Sequence, residues 1–130
     1  MARSNVEHQQ QCLVFATLAF NEAQYPFLVW IHASMNGASA SSIQAAVQRK
    51  RAGQTKGIFD ICIPFKSVSE SSLVGWIEMK TRLNKLTKEQ QEFREFALRQ
   101  GHGTAVCYNA DEALDYIELY CGIRLRGRSV

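Results

Sequence analysis

Asp60, Glu78 and Lys80 are the residues whose types and spacing could do chemistry together. Glu78 and Lys80 stand at the charged end of an otherwise apolar run (LVGWIEMK, residues 73–80), and Asp60 interrupts another (IFDICIP, residues 58–64). In a strand, residues i and i+2 share a face. A strand over 73–80 therefore projects Glu78 and Lys80 together and turns the Met79 side chain the other way. Two carboxylates on neighbouring strands are hard oxygen ligands of the kind that hold Mg²⁺ or Mn²⁺. An ion so held polarises a phosphoryl oxygen and lowers the pKa of a bound water. A lysine beside it can orient or deprotonate the water, or pair with the phosphate. The chemistry this set suits is phosphodiester hydrolysis.

Each residue also has a plainer reading. A carboxylate inside an apolar strand is costly to desolvate unless it is paired or bound to metal. Asp60 would escape that cost at an exposed strand start, capping a turn after Gly57. Glu-x-Lys recurs by chance in chains of this length, and only its position after a strand carrying a lone Asp gives it weight. Glu7 could reach a metal through water or bind a second ion, yet Ser4-x-x-Glu7 is a capping-box pattern. Gln90 could orient a nucleophile or phosphate, yet Thr87-x-x-Gln90 is another. His32, at a strand end, and His102, between two glycines, read as incidental.

These residues need elements to position them. Helical spacing of Val6, Leu13, Val14 and Leu18 predicts a helix over 5–22, ended by Tyr25-Pro26. Residues 27–32 (FLVWIH) read as a short strand, 36–42 (NGASASS) as a loop, and 43–52 as a short helix ending at Gly53. Strands follow at 58–64 and 73–80, with a polar loop over 66–72 between them. A helix over 87–99 carries Phe93, Phe96 and Ala97 on one face. A strand over 104–108 and an amphipathic helix over 111–120, capped by Asn109, complete the order α-β-α-β-β-α-β-α. A mixed α/β sheet with helices on both faces is the packing that order favours.

Composition sets the outer bounds. A chain of 130 residues fits one domain spanning 1–130. At 46% hydrophobic and 21% charged it can build a core without metal or disulfide staples, which excludes a disordered chain. Of the four cysteines, none forms a C-x-x-C pair, so Cys12, Cys62, Cys107 and Cys121 read as reduced thiols rather than zinc ligands. No signal-peptide pattern and no apolar run near the roughly 18 residues of a membrane span is present. The expectation is an intracellular, cytoplasmic location without a membrane partner.

The net charge of +3 is modest, but its distribution is uneven. Residues 1–48 contain one basic residue, Arg3, against Glu7 and Glu22. Arg49, Lys50, Arg51 and Lys56 then fall close together, Arg82, Lys85 and Lys88 form a second cluster, and Arg124, Arg126 and Arg128 a third. Such clusters suit phosphate binding, where each neutralised phosphate releases counterions. Solvated surface charge is the competing explanation for any one of them.

In order and spacing, the chain resembles the VRR-NUC family of PD-(D/E)xK nucleases, a domain also found in the Fanconi-associated nuclease. The resemblance runs from Glu7 to about Tyr120. It is carried by Glu7-His8-Gln9 with Gln11, Asn36-Gly37, GQTKGIFD (53–60), WIEMK (76–80), LTKEQ (86–90), AVC (105–107) and Asp111-Glu112-Ala113. It implies a restriction-endonuclease-like fold in which Asp60, Glu78 and the Met79 backbone carbonyl hold Mg²⁺ or Mn²⁺, with Lys80 catalytic. Glu7 and Gln90 belong to the same family motif, so their capping geometry and an active-site role can coexist. Arg49, Lys50 and Arg51 carry over as DNA contacts, with Lys56, Arg82 and Lys85 beside them. Short members of phage or bacterial type are similar to Holliday-junction resolvases, which implies a homodimer acting on branched DNA. One residue departs from the pattern: the family has Pro before the metal-binding Asp, and here Phe59 stands there. Two further classes compete with an endonuclease: a nonenzymatic DNA-binding module that retains a nuclease fold, and a protein-interaction scaffold that binds no nucleic acid.

Overall fold

A computed structural model describes residues 5–34, 42–68 and 71–128. Its elements are α1 (Asn5–Asn21), a 3₁₀ helix (Pro26–Trp30), β1 (His32–Ala33), α2 (Ile43–Arg51), β2 (Ile61–Ile63), β3 (Gly75–Met79), α3 (Lys88–Arg99), β4 (Gly103–Cys107) and α4 (Ala110–Cys121). Side-chain caps start three of the helices. Ser42 accepts from the Ala45 N–H, Thr87 from the Gln90 N–H and Asn109 from the Glu112 N–H, each satisfying a donor that the first helical turn leaves open. The capping box at Ser4 and most of the 36–42 loop, with Asn36-Gly37, lie outside the described residues.

The strands form one mixed sheet in the order β1-β2-β3-β4. β2 is antiparallel to both β1 and β3, while β3 and β4 are parallel and joined by α3. A parallel pair needs such a crossover, and the helix covers the sheet face it crosses. The alternation of β3 sorts its side chains. Ile77 and Met79 enter a core with Val14 and Leu18 of α1 and Ala113, Leu114 and Ile117 of α4. Trp76 turns to the opposite face, where its ring meets Phe93 of α3 edge-on at 5.1 Å between centroids. The α1–α4 pair covers one face and α3 the other, a mixed α/β sheet flanked by helices.

Two elements and one charge cluster differ from the sequence expectations. The run 27–32 is largely a 3₁₀ helix, and only His32 and Ala33 pair with β2. Pro26 presets the first helical turn. Leu28 and Ile31 are buried three residues apart while Phe27, Val29 and Trp30 are exposed, a spacing that strand alternation does not produce. The strand expected over 58–64 begins only at Ile61, which puts Asp60 one residue ahead of it. The C-terminal basic cluster is also not a uniform phosphate surface. Arg128 is spent on α4, with Nη1 2.8 Å from Asp115 and 3.0 Å from Glu118 and Nη2 3.1 Å from Asp111.

Cys62, Cys107 and Cys121 are buried and Cys12 is exposed. Burial pushes the Cys107 thiol up to about 12 and the Cys121 thiol up to about 11, and raises that of Cys62, so these three stay protonated near neutral pH. Among the described residues no helix is long and apolar enough to cross a membrane.

Candidate active site

The site lies where β3 leaves the sheet. In the antiparallel register of β2 and β3, Ile61 faces Ile77 and Cys62 faces Trp76. One step further along the same register sets Asp60 opposite Glu78. Asp60 is held there from three directions. Its backbone carbonyl accepts from the Ser34 N–H at 2.8 Å, and its Oδ2 accepts from the Met79 N–H at 2.9 Å. Phe59, the preceding residue, is fully buried and stacks at a tilt on Phe93, 5.3 Å between centroids. A proline would fix this approach through its φ angle. Phe59 fixes it by packing into the aromatic cluster beneath α3. Gly57 lets the preceding turn come close. Its φ is +96°, and an added Cβ would lie 2.6 Å from the Glu89 carbonyl in the first turn of α3.

Asp60 and Glu78 are 6% and 3% exposed, a degree of burial that carboxylates tolerate only with partners. Glu78 Oε2 accepts from Gln90 Nε2 at 2.9 Å and lies 3.9 Å from Lys80 Nζ. Gln90 is held by the capping box of α3: its Oε1 accepts from the Thr87 N–H at 3.0 Å, and its own N–H donates to Thr87 Oγ1 at 3.1 Å. The Thr87 N–H can only donate, so the amide oxygen must face it and the amide NH₂ must face Glu78. Capping and orientation of Glu78 are thus one arrangement. Lys80 has a side chain only 11% exposed, and its backbone N–H donates to the Cys107 carbonyl at 2.9 Å, which extends the β3–β4 ladder past Met79.

Glu7, in the first turn of α1, is also buried, but it points at the chain beyond Lys80. Its Oε2 accepts from the Thr81 N–H at 3.1 Å and from Asn84 Nδ2 at 3.0 Å. Asn84 carried no signal in the sequence; its partner is 77 residues away. One turn along α1, Gln11 carries a buried side-chain oxygen with no hydrogen-bond partner among the described residues. His32 is exposed at the rim, and His102 accepts from the Trp76 indole N–H at 3.2 Å at the far end of β3, so neither joins the site.

The basic residues divide by location. Lys56 precedes Gly57; its side chain is 82% exposed and its ammonium lies 4.0 Å from Glu89. Arg82 and Lys85 are exposed in the segment joining β3 to α3, which begins directly after Lys80. Arg49, Lys50 and Arg51 end α2, a helix with no buried residue.

Asp60, Glu78 and the Met79 carbonyl are hard oxygen donors. In a strand a residue's N–H and C=O point to the same neighbour. The Met79 carbonyl therefore faces the Asp60 side, to which its N–H donates. Among the described residues no group of three His, Cys, Asp or Glu side chains is arranged to hold a metal. Two carboxylates and a carbonyl, with water and substrate phosphate completing the shell, suit Mg²⁺, which seldom takes an all-protein cage. The donor set fits such an ion.

No family model matches the chain. No curated protein matches it either. Among solved structures, one described as a VRR_NUC domain protein matches with a TM-score of 0.64, covering 85% of this chain and 86% of that one at 21% identity. The parallel β3–β4 crossover, the antiparallel β2 that delivers Asp60 and the helices on either face thus form the fold of a VRR_NUC domain protein.

Proposed function

We propose that the chain is a metal-dependent endonuclease that hydrolyses phosphodiester bonds in DNA, selective for branched forms such as Holliday junctions. One observation carries the reading: nearly buried Asp60, Glu78 and Lys80 meet part-buried Gln90 at the carboxyl end of β3, with exposed Arg82 and Lys85 in the segment that follows. The carboxyl ends of parallel strands are where open α/β sheets bind ligands. Asp60, Glu78 and the Met79 carbonyl would hold Mg²⁺ or Mn²⁺. When bound, such an ion supplies stabilisation of charge developing on the phosphoryl group and eases deprotonation of water.

The chain's own residues do the rest. Gln90 holds Glu78 in one orientation through the α3 cap. Lys80 presents a side-chain nitrogen, largely withdrawn from water, that can pair as the ammonium with the scissile phosphate or, as the neutral amine, take a proton from the attacking water. The bonds from Glu7 to Thr81 and Asn84 favour a positioning role, fixing the backbone that follows Lys80, over direct metal ligation. Lys56, Arg82 and Lys85 would take phosphates near the cut, and Arg49, Lys50 and Arg51 on the solvated α2 would take phosphates further away. A two-fold dimer suits paired nicks on a junction. The outer face of α1, with Val6, Leu13 and Phe20 exposed at seven-residue spacing, is the surface offered for it, while Phe15 packs against the core.

A nonenzymatic module with the same fold need not bind the ion. Calorimetric titration of Mn²⁺ is expected to give saturable binding to the wild-type chain that Asp60→Asn loses. Asparagine keeps an acceptor for the Met79 N–H, so its thermal melting should stay near wild type. Absence of saturable binding to wild type would return the chain to the binding-only class.

A further inference from the structure

Residues 81–84 form a turn that leaves the sheet directly from Lys80, closed by the Asn84 N–H donating to the Thr81 carbonyl at 3.0 Å. The base of the turn is anchored, because buried Glu7 accepts from both Thr81 and Asn84. The tip is Arg82 and Leu83. Leu83 is 95% exposed, more than any other large hydrophobic residue described. An exposed leucine alone needs no explanation. Here it is carried on an anchored turn, three residues beyond Lys80, with exposed Arg82 and Lys85 on either side. Such a tip suits a partner that offers apolar surface between two lines of negative charge. DNA has that chemistry: base faces lie between phosphate backbones, and apolar side chains can wedge between base steps.

We propose that Leu83 is a wedge that inserts between bases beside the cut, while Arg82 and Lys85 seat on the flanking phosphates. The inference rests on the nuclease reading of the Asp60–Lys80 site and assigns a specificity residue to it. Insertion costs the stacking of one base step. That cost is smallest where stacking is already interrupted, so a wedge next to Lys80 favours branch points over continuous duplex without reading any base sequence.

The test uses a four-way junction and a matched linear duplex carrying 2-aminopurine, whose fluorescence rises when it unstacks, in EDTA so that no strand is cut. Wild type is expected to raise the signal at the branch point. Leu83→Ala should abolish the rise and weaken junction binding roughly tenfold, the order expected for one leucine side chain taken out of water. Its affinity for linear duplex should change little, and Leu83→Met should restore the signal. Equal fluorescence and affinity for wild type and Leu83→Ala would overturn the wedge and leave the nuclease reading standing. A change in oligomeric mass by light scattering, with DNA binding unaltered, would make Leu83 a protein contact and also overturn it. Failure of wild type to bind either DNA would overturn the nuclease reading, and the wedge with it.

Discussion

Lys80→Ala should leave a folded chain that still binds branched DNA but cuts it roughly 10³-fold more slowly, the loss typical of removing one preorganised electrostatic donor. The size follows from where the ammonium sits. Its side chain is 11% exposed, so little solvent screens its field, and Glu78 Oε2 at 3.9 Å is too long for a strong hydrogen bond. The charge is therefore held near the carboxylates while remaining able to act on an incoming phosphate. Structural damage should be small, because the β3–β4 ladder past Met79 runs through the Lys80 backbone N–H, which alanine keeps. Single-turnover cleavage rates, with circular dichroism and gel-shift binding as controls, check this. A rate within a few-fold of wild type would remove Lys80 from the chemistry.

Phe59→Ala is expected to produce the largest loss of stability, about 3–5 kcal/mol, through lost burial and the cavity left behind. Phe59 has no exposed surface and packs against Phe93, which in turn meets Trp76 of β3. The same cluster ties the approach to Asp60 onto α3, the helix that carries Gln90. The surviving folded fraction should therefore cut DNA more slowly than its concentration predicts. Phe59→Leu, which keeps most of the volume, should retain most of both properties. Chemical denaturation beside cleavage normalised to folded protein measures the two effects. A drop in stability with unchanged normalised activity would uncouple the aromatic cluster from the site.

Much of this was legible in the sequence, for reasons that can be stated residue by residue. The order of elements was readable because Thr87 and Asn109 are strong caps and because apolar runs of the right length alternate with helical spacing. The grouping of Glu78 and Lys80 followed from the period of a strand, and the Thr87-x-x-Gln90 box gave the start of α3. What local pattern could not carry was the outcome of tertiary competition. Residues 27–32 have the composition of a strand, but Pro26 and the burial of Leu28 and Ile31 wind most of them into a 3₁₀ helix. Gln90 was legible as a cap or as a site residue; only the packing of α3 against β3 shows that its two amide ends serve Thr87 and Glu78 at once. Glu7 meets Thr81 across 74 residues of sequence, a pairing that no local rule anticipates. Arg128 looked like one of three free cations until α4 was folded beneath it.

The alternatives to an endonuclease separate on one assay, cleavage of a four-way junction by the wild-type chain in Mg²⁺, in EDTA, and after Mg²⁺ is restored. A metal site at Asp60 and Glu78 beside Lys80 predicts cutting that stops in EDTA, returns with the ion and is much slower on linear duplex of the same sequence. Cutting undiminished by EDTA, or no cutting of any DNA by a chain that binds the junction, would contradict it.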